Sequence, residues 1–118
     1  GKAYPVEVDA SRIEQLIGNL FSNAVKHGYA HTPIVLELVH HPEEVEIRLT
    51  NWGEGIPAEQ MPSLFHRFSR GTSARQSVGL GLYIAKGIVE AHGGRIWAES
   101  IPGQSTTFFV RLPATASK

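Results

Sequence analysis

Residues 77 to 94, SVGLGLYIAKGIVEAHGG, constrain this chain more than any other segment. Gly79 and Gly81 bracket Leu80, and the residues that follow suit a helix from about Leu80 to His92, stopped by Gly93-Gly94. A glycine pair at a helix entry lets another group approach the backbone closely. The first-turn amides there have no intrahelical partner, so they can point at an anion. Phosphate is the expected anion. A tight turn would use the same glycines, so the rest of the chain has to decide between the two.

The other elements can be placed around that helix. Asp9 or Ser11 caps a helix running to about Lys26, with Gly28 as its stop. Ile13, Leu16, Ile17, Leu20, Phe21, Ala24 and Val25 recur at spacings of three and four and form one apolar stripe. Ile34 to Val39 and Val45 to Thr50 read as a hairpin turning at His40-His41-Pro42-Glu43, and Asn51 to Pro57, NWGEGIP, as a glycine-rich loop. A short apolar helix is expected around Met61 to Phe68. The small and basic residues Ser69 to Gln76 after it are expected to be a mobile lid, which spans about 58–78 in all. Arg95 to Ser100 and Thr106 to Leu112 read as strands joined by a turn at Ile101-Pro102-Gly103-Gln104. The order predicts an α+β fold: a two-layer sandwich with a mixed, mostly antiparallel sheet and helices on one face.

At 118 residues the chain is expected to be one domain, 1–118, and its abrupt start at Gly1-Lys2-Ala3 reads as a module of something longer. Eleven basic residues balance eleven acidic ones without a run of either sign, which gives no support for binding nucleic acid or a membrane surface. The absence of cysteine excludes a disulfide framework, thiolate zinc sites and a cysteine nucleophile, and fits a cytoplasmic setting. No stretch is long and apolar enough to cross a bilayer.

On the first helix Asn19, Asn23 and Lys26 fall within an arc of about 60°, beside the apolar stripe. That is the edge between core and cleft. An asparagine amide oxygen is a hard neutral ligand suited to Mg²⁺, and a lysine one turn further on supplies a point charge for phosphate. The same pattern also fits a solvated helix edge, although asparagine is a poor helix former. A metal site using His27 and His31 is disfavoured, because Gly28 and Pro33 interrupt any helix there.

Taken in order, the blocks are N-L-x-x-N-A-x-K at Asn19 to Lys26, N-x-G-x-G-I at Asn51 to Ile56, L-F-x-R-F at Leu64 to Phe68, G-L-G-L-x-I from Gly79, and G-x-x-T-x-F at Gly103 to Phe108. The chain resembles the ATP-binding catalytic domain of bacterial sensor histidine kinases, in the GHKL superfamily with its Bergerat fold, from about Asp9 to Pro113. The resemblance implies that Asn23 coordinates Mg²⁺, that Lys26 contacts phosphate and that His27 packs near the nucleotide. Asn51 stands where relatives carry an aspartate that accepts the adenine amine; an amide oxygen can accept the same bond without charge. Gly53 and Gly55 would wrap the loop around the base and Ile56 would line its pocket. Phe65 and Phe68 match the phenylalanine box, which closes the lid and can touch the helical partner domain. Arg70 or Arg75 would reach phosphate from the lid. The amides of Gly79, Leu80, Gly81 and Leu82 would receive the phosphates, and Thr106 would sit near the adenine. Ser105 replaces the second glycine of the family's last motif.

The resemblance further implies transfer of the γ-phosphoryl group of ATP to a histidine on a separate helical phosphoacceptor domain, with a response regulator downstream. In the hydrolysing branches a glutamate, one turn before the magnesium asparagine, activates water. Asn19 holds that position here and cannot take a proton, which favours transfer over hydrolysis. Two alternatives stay open at this point: a serine kinase of the anti-sigma-factor type, and a degenerate nucleotide-binding or docking module without catalysis.

Overall fold

The computed structural model describes residues 9–29, 31–66 and 76–113, with the backbone alone for 76–80. Helix α1 spans Ala10–His27, and Asp9 is its N-cap, accepting from the amides of Ser11 and Arg12. Those bonds favour the ionised carboxylate, with the Arg12 amide the largest cause, and hold the Asp9 pKa below its usual value. Lys26 and His27 complement the dipole in the last turn. Strands β1 (Ile34–His40) and β2 (Glu44–Trp52) form the expected hairpin. After a short 3₁₀ helix at Ala58–Ser63 come helix α2 (Gln76–Ala91) and strands β3 (Arg95–Ile101) and β4 (Ser105–Pro113).

The sheet runs β1-β2-β4-β3, and every pairing among the described strands is antiparallel rather than mixed. Both helices lie on one face. Leu16, Leu20 and Ala24 of α1 and Leu82, Ala85, Ile88 and Val89 of α2 meet Ile47, Leu49, Phe108, Val110 and Leu112 of the sheet in one core. The helices pack more extensively on each other than on any one strand. Burying such apolar faces is the main source of stability in a two-layer fold.

Three elements differ from expectation by more than one residue. Strand β2 runs two residues further, through Asn51 and Trp52, because Thr106 and Ser105 of β4 pair with them. The helix expected over Met61 to Phe68 is instead the 3₁₀ helix at Ala58–Ser63; Pro57 opens it, and Pro62 removes an amide that a longer helix would need. Helix α2 begins at Gln76 rather than Leu80, so Gly79 and Gly81 lie within it. Its end is as expected: Gly93 has φ +78°, its amide donates to the Glu90 carbonyl, and the Gly94 amide donates to Val89, a Schellman closure. Residues 67–75 of the expected lid, with Phe68, Arg70 and Arg75, lie outside the described residues.

Candidate functional site

The sequence-predicted residues of α1, Asn19, Asn23, Lys26 and His27, share one side of that helix. At one end Asn19 donates from Nδ2 to the Gly81 carbonyl of α2 at 3.2 Å. Asn23 follows one turn on, half-buried, and His27 a further turn on, about 12 Å along the axis from Asn19. That length is of the order of an extended nucleoside triphosphate. Lys26 is exposed at the rim.

At the His27 end the chain leaves α1 and is clamped to the glycine loop. Gly28 and Gly53 form an isolated antiparallel bridge, and the Tyr29 amide donates to the Trp52 carbonyl at 2.8 Å. The fit is close: a β-carbon on Gly53 would stand 2.2 Å from the His27 carbonyl oxygen. The loop is braced from its other side by the β3–β4 turn, where Gly53 donates to Gln104 at 3.0 Å and Gly103 donates to Glu54 at 2.7 Å. Gly55 has φ +76°, and a β-carbon there would meet the Ile101 carbonyl and Pro102 Cα at 2.8 Å. Only glycine fits at either position.

The floor beneath is polar and neutral. Asn51 and Thr106 are register partners on β2 and β4, 4 % and 5 % exposed, and both face the helix layer. Ser100 joins this floor to the loop: its hydroxyl accepts from the Ile56 amide at 2.8 Å, donates to the Ser105 carbonyl at 3.0 Å and lies 3.1 Å from the Thr106 hydroxyl. Ser100 was not legible as a site residue, because as one member of an alternating strand it carries no motif. Such a floor suits a ligand read by hydrogen bonds rather than by charge.

The structure separates backbone from side-chain roles in the remaining residues. Leu82 is 2 % exposed and belongs to the core, so only its amide is at issue. In a helix beginning at Gln76 only first-turn amides lack intrahelical acceptors, and Leu80, Gly81 and Leu82 lie beyond that turn. Ile56 packs partly against the core. Phe65 is partly buried and packs against the core, meeting Phe108 edge-on with centroids 6.2 Å apart. It also lines a groove of about 390 Å³ on the outer side of α2, together with His66, Tyr83, Ile84, Lys86 and Glu90.

Ionic chemistry lies elsewhere, on the open face of the sheet. Glu46 is 1 % exposed and bonds to Arg48, to Arg111 at 2.7 Å and to His41 at 3.0 Å. The Arg48 bond leads in pushing its pKa down to about 2, against the opposing effect of burial, with Arg111 and His41 adding to it. Among the described residues no three His, Cys, Asp or Glu side chains converge as a metal site. The donor set along the cleft is instead amide and hydroxyl oxygen with one lysine, which fits a hard cation that keeps most of its shell from phosphate and water.

Residues 8–116 match the family described as histidine kinase-, DNA gyrase B- and HSP90-like ATPase. The sensor protein kinase WalK of Staphylococcus aureus is 38% identical over 113 residues, covering 91% of this chain and 27% of that protein. The chain thus spans about a quarter of that relative's length. Among solved structures, the mycobacterial sensor histidine kinase MprB superposes with a TM-score of 0.81 at 28% identity, over 92% of this chain and 74% of that one. The catalytic domain of the histidine kinase ThkA does so with a TM-score of 0.80 at 30% identity, over 92% of this chain and 71% of that one. With its helix pair, its antiparallel sheet and the order of its motifs matched over nearly its whole length, the chain belongs to the family of histidine kinase-, DNA gyrase B- and HSP90-like ATPases, among the catalytic domains of sensor histidine kinases.

Proposed function

We propose that this domain binds Mg-ATP along α1 and donates the γ-phosphoryl group to a histidine on a separate helical phosphoacceptor domain, from which a response regulator is charged. One observation carries the reading: along one side of α1, Asn19 bonds to Gly81 of α2 and Asn23 follows one turn on, and where the helix ends Gly28 lies beside Asn51 of the polar Asn51–Thr106 pair. The base lies on Asn51 and Thr106, under the clamped loop of Gly53 to Ile56. The phosphates run back along α1 toward Gly81, past Lys26 and Asn23. Asn23 is the protein ligand for Mg²⁺, which when bound neutralises charge on the phosphates.

Transfer is favoured over hydrolysis because the side chain at position 19 is an amide whose N–H is already given to the Gly81 carbonyl. It has no basic site with which to activate water. The groove beside Phe65 and Tyr83 is the docking surface for the phosphoacceptor helices: it is apolar at its base, and Lys86 and Glu90 lie along it.

The test is calorimetric titration with a non-hydrolysable ATP analogue and Mg²⁺. The wild-type domain is expected to bind, and Asn23→Ala to lose the Mg²⁺-dependent part of the affinity, about tenfold or more, with an unchanged circular dichroism spectrum. Equal affinity in the two proteins would remove Asn23 from the site. No heat from either would favour a docking module without nucleotide.

A further inference from the structure

The contact between Asn19 and Gly81 ties the two core helices together beside the proposed nucleotide site. On α1, Asn19 adjoins Leu20 and lies within a turn of Leu16, both of them core residues at 0–1 % exposure, so its backbone is held rigidly. On α2, Gly81 presents its carbonyl to the Asn19 amide at 3.2 Å. A β-carbon at 81 would meet Asn19 Cγ at 3.9 Å and Cβ at 4.0 Å across the helix pair, ordinary van der Waals distance, so the two residues lie close together. A helical carbonyl has a second lone pair beyond the one used in its own ladder, and here that lone pair takes a side-chain donor from the facing helix.

We propose that Asn19 is a positioning residue: its amide N–H, given to the Gly81 carbonyl, sets the height and angle at which the glycine turn of α2 stands over α1. The donor half of the amide is what the position requires. A carboxylate has the same shape but can only accept, so aspartate would set an anionic oxygen against the Gly81 carbonyl oxygen and release the turn. Glutamate, the acid of the hydrolysing branches, would likewise give up this tie, so installing it should loosen the helix pair rather than create an ATPase. The inference rests on the proposed nucleotide site for its functional meaning, but the tie itself is a property of the free protein.

The test therefore begins without nucleotide. Hydrogen exchange of the α2 amides and the ¹³C shift of the Gly81 carbonyl are read in the wild type, Asn19→Ala and Asn19→Asp. Both variants are expected to shift the Gly81 carbonyl and speed exchange around residues 79–85 by about two- to tenfold, the scale of one net hydrogen bond. Aspartate is expected to be the worse of the two. A packing role predicts the opposite order, since aspartate keeps the shape that alanine removes. Affinity for the ATP analogue with Mg²⁺ is expected to fall in the same order. Unchanged exchange in both variants, or alanine worse than aspartate, would overturn the proposal. Lost affinity with unaltered exchange in the free protein would also overturn it, by making Asn19 a direct ligand. If the wild type failed to bind nucleotide, the proposed function would fall, and the exchange data would still judge the tie.

Discussion

Gly53 and Gly81 look equivalent in a motif, but their surroundings differ. At Gly53 a β-carbon would run into the backbone where α1 ends, at 2.2 Å from His27 oxygen and 2.9 Å from Gly28 Cα. The fold itself requires that glycine, whatever binds nearby. At Gly81 a side chain would find its nearest cross-helix neighbour at 3.9 Å, in a helix where glycine costs about 0.5–1 kcal/mol relative to alanine. A residue that weakens its helix without being needed for packing points to a need for close approach. Gly81→Ala is therefore expected to raise the melting midpoint by about 3–6 °C while weakening binding of the ATP analogue, read by thermal unfolding and titration on one sample. Gly53→Ala is expected to destabilise by a few kcal/mol. If Gly81→Ala stabilised the fold and left binding untouched, the glycine would have no role in the site.

The sheet shows the same division between what holds an element and what serves the site. Its helix-facing side carries the core and the Asn51–Thr106 pair. Its open side carries Glu46 tied to Arg48, Arg111 and His41, beside Trp97 stacked on Phe109 at 5.1 Å. Glu46 therefore links the β1–β2 turn to β4. Its pKa falls from 4.5 to about 2 on folding, so in that interval the unfolded chain binds more protons than the folded one. The contribution is fully present above pH 4.5 and is lost as pH drops toward 2. Urea unfolding measured across that range is expected to show a falling limb that Glu46→Gln flattens, at a cost of about 1–3 kcal/mol at neutral pH. An unaltered limb would move the acid sensitivity to other carboxylates. None of this network was legible in the sequence, because Glu46 and Arg48 read as ordinary outward positions of an alternating strand; only the register with Arg111 buries the carboxylate. The elements themselves were legible wherever a cap or periodicity fixed them, as with Asp9 and the Gly93 closure. The start of α2 was not, since glycines that usually break helices sit inside one whose later turns are well buried.

Across the whole molecule, α2 has two working sides. One carries Gly81 toward Asn19 of α1; the other carries Tyr83, Lys86 and Glu90 along the outer groove. Phe65 connects them, lining the groove while its ring packs edge-on to Phe108 in the core. If the proposed function holds, nucleotide is bound on one side and the phosphoacceptor received on the other, and the two functions should come apart under mutation. Tyr83 is the place to cut: it is 45 % exposed and belongs to the groove, and no described contact ties it to Asn51, Thr106 or Asn19. A charge of the wrong kind there disfavours an apolar helix face without disturbing the cleft. Tyr83→Glu is expected to leave affinity for the ATP analogue within about twofold of wild type. Transfer of the γ-phosphoryl group to a phosphoacceptor domain supplied separately should fall by about tenfold or more, most visibly when that domain is dilute. Raising the acceptor concentration should recover part of the rate, because the lesion is in encounter rather than in chemistry. A variant that lost nucleotide affinity in parallel with transfer would show that the two sides of α2 are one site, and the division argued from Phe65 and Tyr83 would not hold.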